Sequence, residues 1–590
     1  MPSLTINGTV CHFEPGETVL QAANNAGVEI PYYCYHDALS IPAQCRICLA
    51  EMAAPNPRNE NKLEPIAGGK LLPTCSTPAQ DGMVVRANSP KAVANQKAVM
   101  EYLLINHPLD CPVCDQAGEC ELQDYSFKYG RGVSRFQEQK VKQPKKDLGP
   151  NVYIYSDRCI MCTRCVRFTK EVPGTGELTI DGRGNGSQID VFPGVALDNE
   201  LSANVIDLCP VGALLDKDFL FTQRVWFLKK TPSIDGLTSS GDNLWVEHNE
   251  GRVYRVKPRK NMSINKWWIT DEVRYGWKFI HSDDRLTAPE RRQHGVLVEA
   301  DQNRACADAI EGLQTVAARD ERLALLVSPM LTCEDAYQLA MLAQRLDDKA
   351  LVAIGPIPMR GEDKVFPPNA AEDDPKRFVM RAEKAPNARG VRRVLEAVFG
   401  QGNVLPYEEF EGRLSGIGAA IVTGNYPSDW SDSLTTALGG KFTVVMDSLD
   451  STLARTADIV LPTSSWLEKA GTFENAANVL QTFEQAVPEV GASKSEAQHA
   501  LDLLSVLNGD KAEEPVGEKF VEGLTVIDEQ AGQVPMAKQL GTRSTVRFNA
   551  SHTRATMAES YPALEAVRDA NAAPRETAAA RTPAVEMVEL

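Results

Sequence analysis

Downstream of residue 210 the sequence is nearly devoid of cysteine: of fourteen in 590 residues, twelve precede that point and only Cys306 and Cys333 follow. No clustered thiolate set is therefore available there for a metal. Long apolar runs are also missing. Segments such as Ile459 to Pro462, within ADIVLP, are strand-sized, far short of the ~20 residues that cross a bilayer. There is no basic excess either, and a net charge of -17 excludes nucleic acid as a default partner. The amino terminus opens on an alternating strand, Leu4-Thr5-Ile6-Asn7, with no basic n-region or apolar h-region, so no export or import signal is expected. The glycine-rich GRGNGS lacks the strand-to-helix G-x-G-x-x-G context, so no NAD or flavin is expected on this chain. No nucleophile paired with a base stands out, and bond-making chemistry is not expected.

What is present is three constellations of metal-ligating residues in a chain long enough for roughly three to five domains. Their C-x2-C spacings in a chain without a leader favour metal ligation over disulfides. The first is Cys34-x10-Cys45-x2-Cys48-x26-Cys75. A hairpin signal, LTING into VCHFEPGETVLQAANNAG, precedes it, and a strand, Met83 to Arg86, follows. Strand, turn, strand, helix and cysteine loop resembles the small β-grasp ferredoxins, whose [2Fe-2S] cluster takes four thiolates, two for each iron. The spacing departs from the plant-type C-x4-C-x2-C pattern. The Pro-, Asn- and Gly-rich stretch 53–70 reads as a surface insertion before Cys75. Four cysteines would also suit zinc.

The second constellation is His107-x3-Cys111-x2-Cys114-x5-Cys120. Three thiolates leave a fourth position that an imidazole can fill for zinc or for iron, and these residues alone leave both open. With iron, a neutral imidazole in place of a thiolate removes negative charge and raises the potential.

The third is Cys159-x2-Cys162-x2-Cys165 with a distant Cys209-Pro210. Two-cluster bacterial ferredoxins use C-x2-C-x2-C-x3-C-P twice, each fourth cysteine serving the other cluster. Here Thr169, Asn199, Ser202 and Val205 stand at the four positions of one set, so that set is lost together. The other four form one complete set, and a single [4Fe-4S] cluster is expected.

These sets, in this order, with HPLDCPVCDQAGECELQD, DRCIMCTRCVRF and IDLCPVGAL, resemble the amino-terminal half of the G-type, 75-kDa-type iron-sulfur subunit family of NADH-quinone oxidoreductase, respiratory complex I. The resemblance implies one [2Fe-2S] cluster on Cys34, Cys45, Cys48 and Cys75. It also implies two [4Fe-4S] clusters, one on His107, Cys111, Cys114 and Cys120 and one on Cys159, Cys162, Cys165 and Cys209. It continues through WFLKKTPSIDGLTSSGDNLWVEHNEGRVYRVKPR, which in related molybdoenzymes carries a further cysteine set that this chain lacks. From about 280 to 510, strand and helix alternate, and ADIVLPTSSWLEKAGTFENAANVLQ is similar to molybdopterin oxidoreductases. Neither Cys306 nor Cys333 stands in a metal-ligand setting, so no molybdopterin is expected.

The expected organisation is multidomain, α+β and α/β. A β-grasp ferredoxin-like domain spans 1–80, the His/Cys-ligated cluster domain 81–140 and a bacterial-ferredoxin-like domain 141–218. A β-rich remnant of a molybdoenzyme cluster domain spans 219–280, a molybdopterin-oxidoreductase-like α/β domain without cofactor 281–510, and a partly disordered extension 511–590, its tail starting at about 545. The resemblance implies electron transfer from a flavin-bearing NADH-oxidising subunit toward quinone. Its implied partners are other peripheral-arm subunits and, indirectly, a membrane arm that translocates protons, on the cytoplasmic face of a bacterial inner membrane. The rivals are the iron-sulfur subunit of an NAD-linked formate dehydrogenase, the electron-input part of a hydrogenase, and a zinc-stapled scaffold. Elsewhere, Cys11 reads as a packed cysteine, the basic run 140–146 as a solvated linker and Trp267-Trp268 as core or junction packing.

Overall fold

The computed structural model describes residues 1–512, so nearly all of the extension expected from 511 lies outside the described residues. The chain forms two compact units. The first comprises Met1–Lys229, Lys260–Arg274 and Lys364–Met380; the second comprises Lys230–Arg259, Tyr275–Asp363 and the chain from Arg381 on.

In the first unit, Asn7 and Gly8 both take positive φ, the turn that a tight hairpin requires, and join β1 (Ser3–Ile6) to β2 (Thr9–His12). Helix α1 (Val19–Asn25) starts at a capping box of Thr18 and Gln21 and buries Val19, Leu20, Ala22 and Ala23. The sheet is completed by β3 (Leu49–Asn56), β4 (Lys62–Pro65), β5 (Leu72–Pro73) and β6 (Val84–Arg86), in the order β2-β1-β6-β3-β4 with β5 on β3. The parallel β1–β6 pair at its centre is the expected β-grasp arrangement, and the sheet runs through Arg86. The stretch expected as a surface insertion at 53–70 is at the surface and is largely a hairpin. Asn56 pairs with Lys62 and Ala53 with Pro65, so the ladder takes up backbone groups that a bare loop would leave to water.

Helices α2 (Pro90–Leu104) and α3 (Glu121–Tyr129) follow. Beyond them lie a three-stranded sheet of Lys145–Asp147, Val152–Tyr155 and Leu214–Asp216, helix α4 (Arg164–Glu171), and a hairpin of Leu178–Asp181 with Gln188–Val191. GRGNGS is the tip of that hairpin, with Gly182 and Gly184 at positive φ. The basic run is not a free linker. Lys140 donates to the carbonyls of Leu104 and Ile105 at the end of α2, at 2.8 and 2.9 Å, where a cation suits the helix dipole. Lys145 lies 4.1 Å over the Tyr153 ring and Lys146 pairs with Asp190. Trp268, 3% exposed, packs with Phe168, Phe366 and Phe378 in one core, which explains why two distant segments return to this unit.

The second unit contains a three-stranded sheet and an eight-stranded one. The larger runs, in spatial order, Val296–Glu299, Glu290–Gln293, Ile459–Pro462, Phe442–Asp447, Ile417–Thr423, Arg322–Val327, Leu351–Ile354 and Val404–Leu405. All neighbours from Ile459–Pro462 onward are parallel, and the near-continuous apolar strands reflect burial on both faces. Strand order reverses between Arg322–Val327 and Ile417–Thr423, the position where open α/β sheets bind ligands. Tyr426 is buried there, its hydroxyl donating to the Pro356 carbonyl at 2.8 Å and standing where a Gly355 side chain would begin. Cys333, at the start of its amphipathic helix as expected, and Cys306 are both buried; each is near an amide side chain, Asn387 and Gln302.

One acid-sensitive feature lies in this unit. Burial works against ionisation of Asp429, but hydrogen bonds from the hydroxyls and backbone N–H groups of Thr452 and Ser431 prevail and hold its carboxyl at about 2. Its folded value lies below its unfolded one, so the stabilisation is complete above about pH 4 and is lost as pH falls toward 2. Because Asp429 is exposed, the effect is screened to on the order of 1 kcal/mol. Urea unfolding at pH 5 and pH 2.5 should show an acid loss of stability that Asp429→Asn reduces; equal slopes for the two proteins would refute the assignment.

Candidate metal centres

The three ligand segments meet in the first unit. Tyr33, Cys34 and Ile47 of the first, Cys120 and Leu122 of the second, and Cys162, Val211 and Ala213 of the third share one buried cluster.

At the first site, Cys34 follows the loop after α1, while Cys45 and Cys48 lie on the loop before β3. Ala43 and Arg46 take positive φ on that loop, winding it tightly. Cys75 comes from the turn after β5, locked by Thr74, whose backbone N–H and hydroxyl both donate to the Cys48 carbonyl. The thiols fall into pairs. Cys48 and Cys75 Sγ are 3.6 Å apart, and Cys34 shares a hydrogen bond with Cys45. Within each pair the shared hydrogen bond draws one partner down and pushes the other up: Cys45 to about 5 with Cys34 raised, and Cys48 lowered with Cys75 raised. Two pairs are the arrangement that two irons, each with two thiolates, call for. At Fe–S bonds near 2.3 Å, two sulfurs on one tetrahedral metal lie roughly 3.7 Å apart.

At the second site, burial lowers His107 to about 4, reinforced by the positive charges of Arg158 and Lys140. The imidazole is thus neutral at ordinary pH, the form that ligates a metal. Cys111 is exposed and Cys114 buried, on either end of a single 3-10 turn. Cys120 is the N-cap of α3; burial raises its thiol to about 11, against the pull of the Leu122 and Gln123 N–H groups. Arg158 faces both His107 and Cys114, and Cys120 is within electrostatic reach of Cys111 and Cys114. A Cβ on Gly212 would collide with Cys114 Sγ, so glycine is needed for this approach.

At the third site, Met161 and Thr163 take positive φ and coil the Cys159-to-Cys165 loop around a small cavity. All four cysteines, Cys159, Cys162, Cys165 and Cys209, line it, as do Arg164 and a shell of Ile154, Ile160, Ile189, Val211, Ala213 and Leu214. Burial raises Cys159 to about 12 and Cys162 to about 11. It raises Cys209 too, against the N–H groups of Leu214, Val211 and Ala213. An apolar lining, four thiols and N–H groups directed at the Cys209 thiol fit a multi-iron cluster held by thiolates.

The sequence did not disclose how the sites are joined. Gln44, beside Cys45, donates to the Met161 carbonyl at 2.8 Å and the Thr163 hydroxyl at 3.0 Å, and Arg167 donates to the Cys34 carbonyl. The Glu121 N–H, beside Cys120, donates to the carbonyl of Pro210, beside Cys209, at 3.0 Å. Arg158 ion-pairs with Asp110 at 2.9 Å, and Arg224 donates to the Cys114 and Pro112 carbonyls. The only available signal was the interleaving of Arg158, Arg164 and Arg167 among cysteines in DRCIMCTRCVRF.

Family models match along the chain. A 2Fe-2S iron-sulfur cluster binding domain matches residues 2–90, an NADH-ubiquinone oxidoreductase-G iron-sulfur binding region 96–135, and an NADH-quinone oxidoreductase subunit 3 ferredoxin-like domain 149–215. An NDSU1/NuoG-like 4Fe-4S domain matches 228–278 and a molybdopterin oxidoreductase domain 414–505. The 228–278 match contains no cysteine, so no thiolate set is present in it. The chain is similar to the mitochondrial 78 kDa subunit of NADH-ubiquinone oxidoreductase from Neurospora crassa, 41% identical over 350 residues, 59% of this chain and 45% of that protein. It is also similar to the G-type subunit of NADH-quinone oxidoreductase from Rickettsia felis, 38% identical over 346 residues, 59% of this chain and 49% of that protein. The match thus spans about half the length of these relatives. A chain of an NAD+-reducing [NiFe]-hydrogenase crystal structure is 28% identical, with a TM-score of 0.32, covering 38% of this chain and 91% of that one.

Proposed function

We infer that this chain, a relative of the G-type subunit of NADH-quinone oxidoreductase across its cysteine-bearing part, is an iron-sulfur electron-transfer subunit of such an oxidoreductase. The observation that carries the reading is the convergence of all four cysteines of the third set on one cavity, hydrogen-bonded to the segments of both other sets. Bound there, iron-sulfur clusters supply one-electron carriers whose potentials depend on ligand type, net charge, hydrogen bonds and exposure. We assign [2Fe-2S] to Cys34, Cys45, Cys48 and Cys75, and [4Fe-4S] to His107, Cys111, Cys114 and Cys120 and to Cys159, Cys162, Cys165 and Cys209.

The chain's own residues do three things. Its cysteine loops hold thiolates in fixed positions, and burial shields most of them from water, with Cys111 the exposed exception. The neutral imidazole of His107 contributes no negative charge to the second site. The hydrogen bonds from Gln44, Arg167 and Glu121 pin the third segment between the others, making it the central relay. Electrons would enter from a flavin-bearing NADH-oxidising subunit and leave toward quinone through other peripheral-arm subunits, with proton translocation elsewhere in the complex. The seat would be the cytoplasmic face of the membrane; no helix among the described residues is long and apolar enough to cross a bilayer. The α/β region would be a scaffold without molybdopterin, a reading that Tyr426 in the strand-reversal crevice supports.

An anaerobic metal and sulfide assay with electron paramagnetic resonance of the reduced full chain tests this. The expected result is roughly ten irons with matching sulfide and both [2Fe-2S] and [4Fe-4S] signals. Zinc without iron would overturn it in favour of a scaffold, and stoichiometric molybdenum in favour of a formate dehydrogenase.

A further inference from the structure

Arg164 is an arginine in an unusual place. It opens α4, directly before Cys165, and is only 5% exposed. Arg164 lines the cavity shared by Cys159, Cys162, Cys165 and Cys209; its backbone N–H bonds the Cys162 thiol, and its charge acts on both Cys162 and Cys209. One terminal nitrogen donates to the carbonyl of Leu208, beside Cys209, at 3.3 Å and lies 3.6 Å from Glu121 Oε1; the guanidinium sits 5.9 Å from the Tyr32 ring centre. The Nε–H is buried and meets no acceptor in the protein. An orphaned donor of this kind costs about 1–3 kcal/mol when nothing receives it, and more on a charged group. The packing tolerates that cost at the wall of a cavity surrounded by four sulfur ligands, which suggests that the acceptor belongs to what the cavity holds.

We propose that Arg164 sets the reduction potential of the third site, by directing its buried Nε–H at sulfur in the group held there and by placing a fixed positive charge beside it. The inference rests on the iron-sulfur reading of that site. The physics has one sign: a positive charge and a hydrogen bond to sulfur both stabilise the reduced, more negative state and so raise the potential. Arg164 is a positioning residue in this account, since ligation is left to the cysteines. Glu121, 3.6 Å from the guanidinium, ties the third site electrostatically to the residue next to Cys120.

The test is a redox titration of the full chain followed by electron paramagnetic resonance, on the parent, Arg164→Gln and Arg164→Lys, each with its iron counted. The Gln variant should lower the midpoint of one [4Fe-4S] signal and leave the [2Fe-2S] midpoint in place. The Lys variant, which keeps the charge but loses the orphaned donor, should lower the same midpoint by a smaller amount. A midpoint in Arg164→Gln equal to the parent's would overturn the proposal. If Arg164→Gln does not load iron, the Lys variant decides, and a parental midpoint there would overturn it. Failure of the parent to load iron refutes the iron-sulfur reading instead, so the two failures are distinguishable.

Discussion

Replacing Cys159 by Ala is expected to remove about four irons and one [4Fe-4S] signal from the full chain, and to stop transfer to quinone in the assembled complex. Loss of a supporting partner around a metal typically costs roughly 10- to 100-fold, and loss of a ligand at the central relay should exceed that. Cys159 lines the third cavity with Cys162, Cys165 and Cys209, and no other cysteine lines that cavity to take its place. Reduction of an artificial acceptor on the flavin side should be untouched, because in the proposed function that step precedes this chain. Cys11→Ala is the control: Cys11 is buried, more so than Cys159, but sits in the first hairpin, away from the ligand loops, so iron content should not change. Unchanged quinone reductase activity in the Cys159 variant would sink the relay assignment.

The second large effect is on stability and lies in the α/β unit. Lys469, with its side chain 5% exposed, places its ammonium 2.9 Å from Asp335 and in contact with Glu496, both carboxylates being essentially inaccessible. The two carboxylates hold its pKa above the ordinary value despite burial, so the cation persists. Lys469→Met would strand two buried negative charges, and breaking a buried pair in this way costs about 3–5 kcal/mol. Adding Glu496→Gln should recover part of the loss. Asp335 is the poorer rescue position, because it also closes the Thr332 capping box and accepts from the Ala497 N–H. Thermal or urea unfolding of the three proteins measures this. A Lys469→Met chain as stable as the parent would show that the network contributes nothing.

The two effects differ in how legible their origins were. Cys159, Cys162 and Cys165 stand three residues apart, and a single wound loop can bring such residues to one metal group, so spacing alone announces them. The Asn7-Gly8 turn, the helix starting near Cys333 and the apolar strands of the α/β unit are equally local, set by φ preferences, capping and period. Lys469 and Glu496 are 27 residues apart and Asp335 is farther still; nothing in their neighbourhoods sets them apart from surface charges.

By itself, then, the sequence determined the residue types and local spacing of three ligand sets, the absence of a cysteine set after residue 210, and the succession of ferredoxin-like and α/β regions. Tertiary structure alone decided that Cys75 returns to within 3.6 Å of Cys48, and that 53–70 forms a sheet hairpin. It alone decided that the basic run is engaged, and that the segments containing Trp268 and Phe366 rejoin the cysteine-bearing unit. It also decided that the third segment joins the other two through Gln44, Arg167 and Glu121, and that Arg164 is buried beside four sulfurs. The physical reason is range: torsional preference, turn chemistry and ligand spacing act over a few residues. Desolvation and charge pairing depend on which distant segments exclude water from one another.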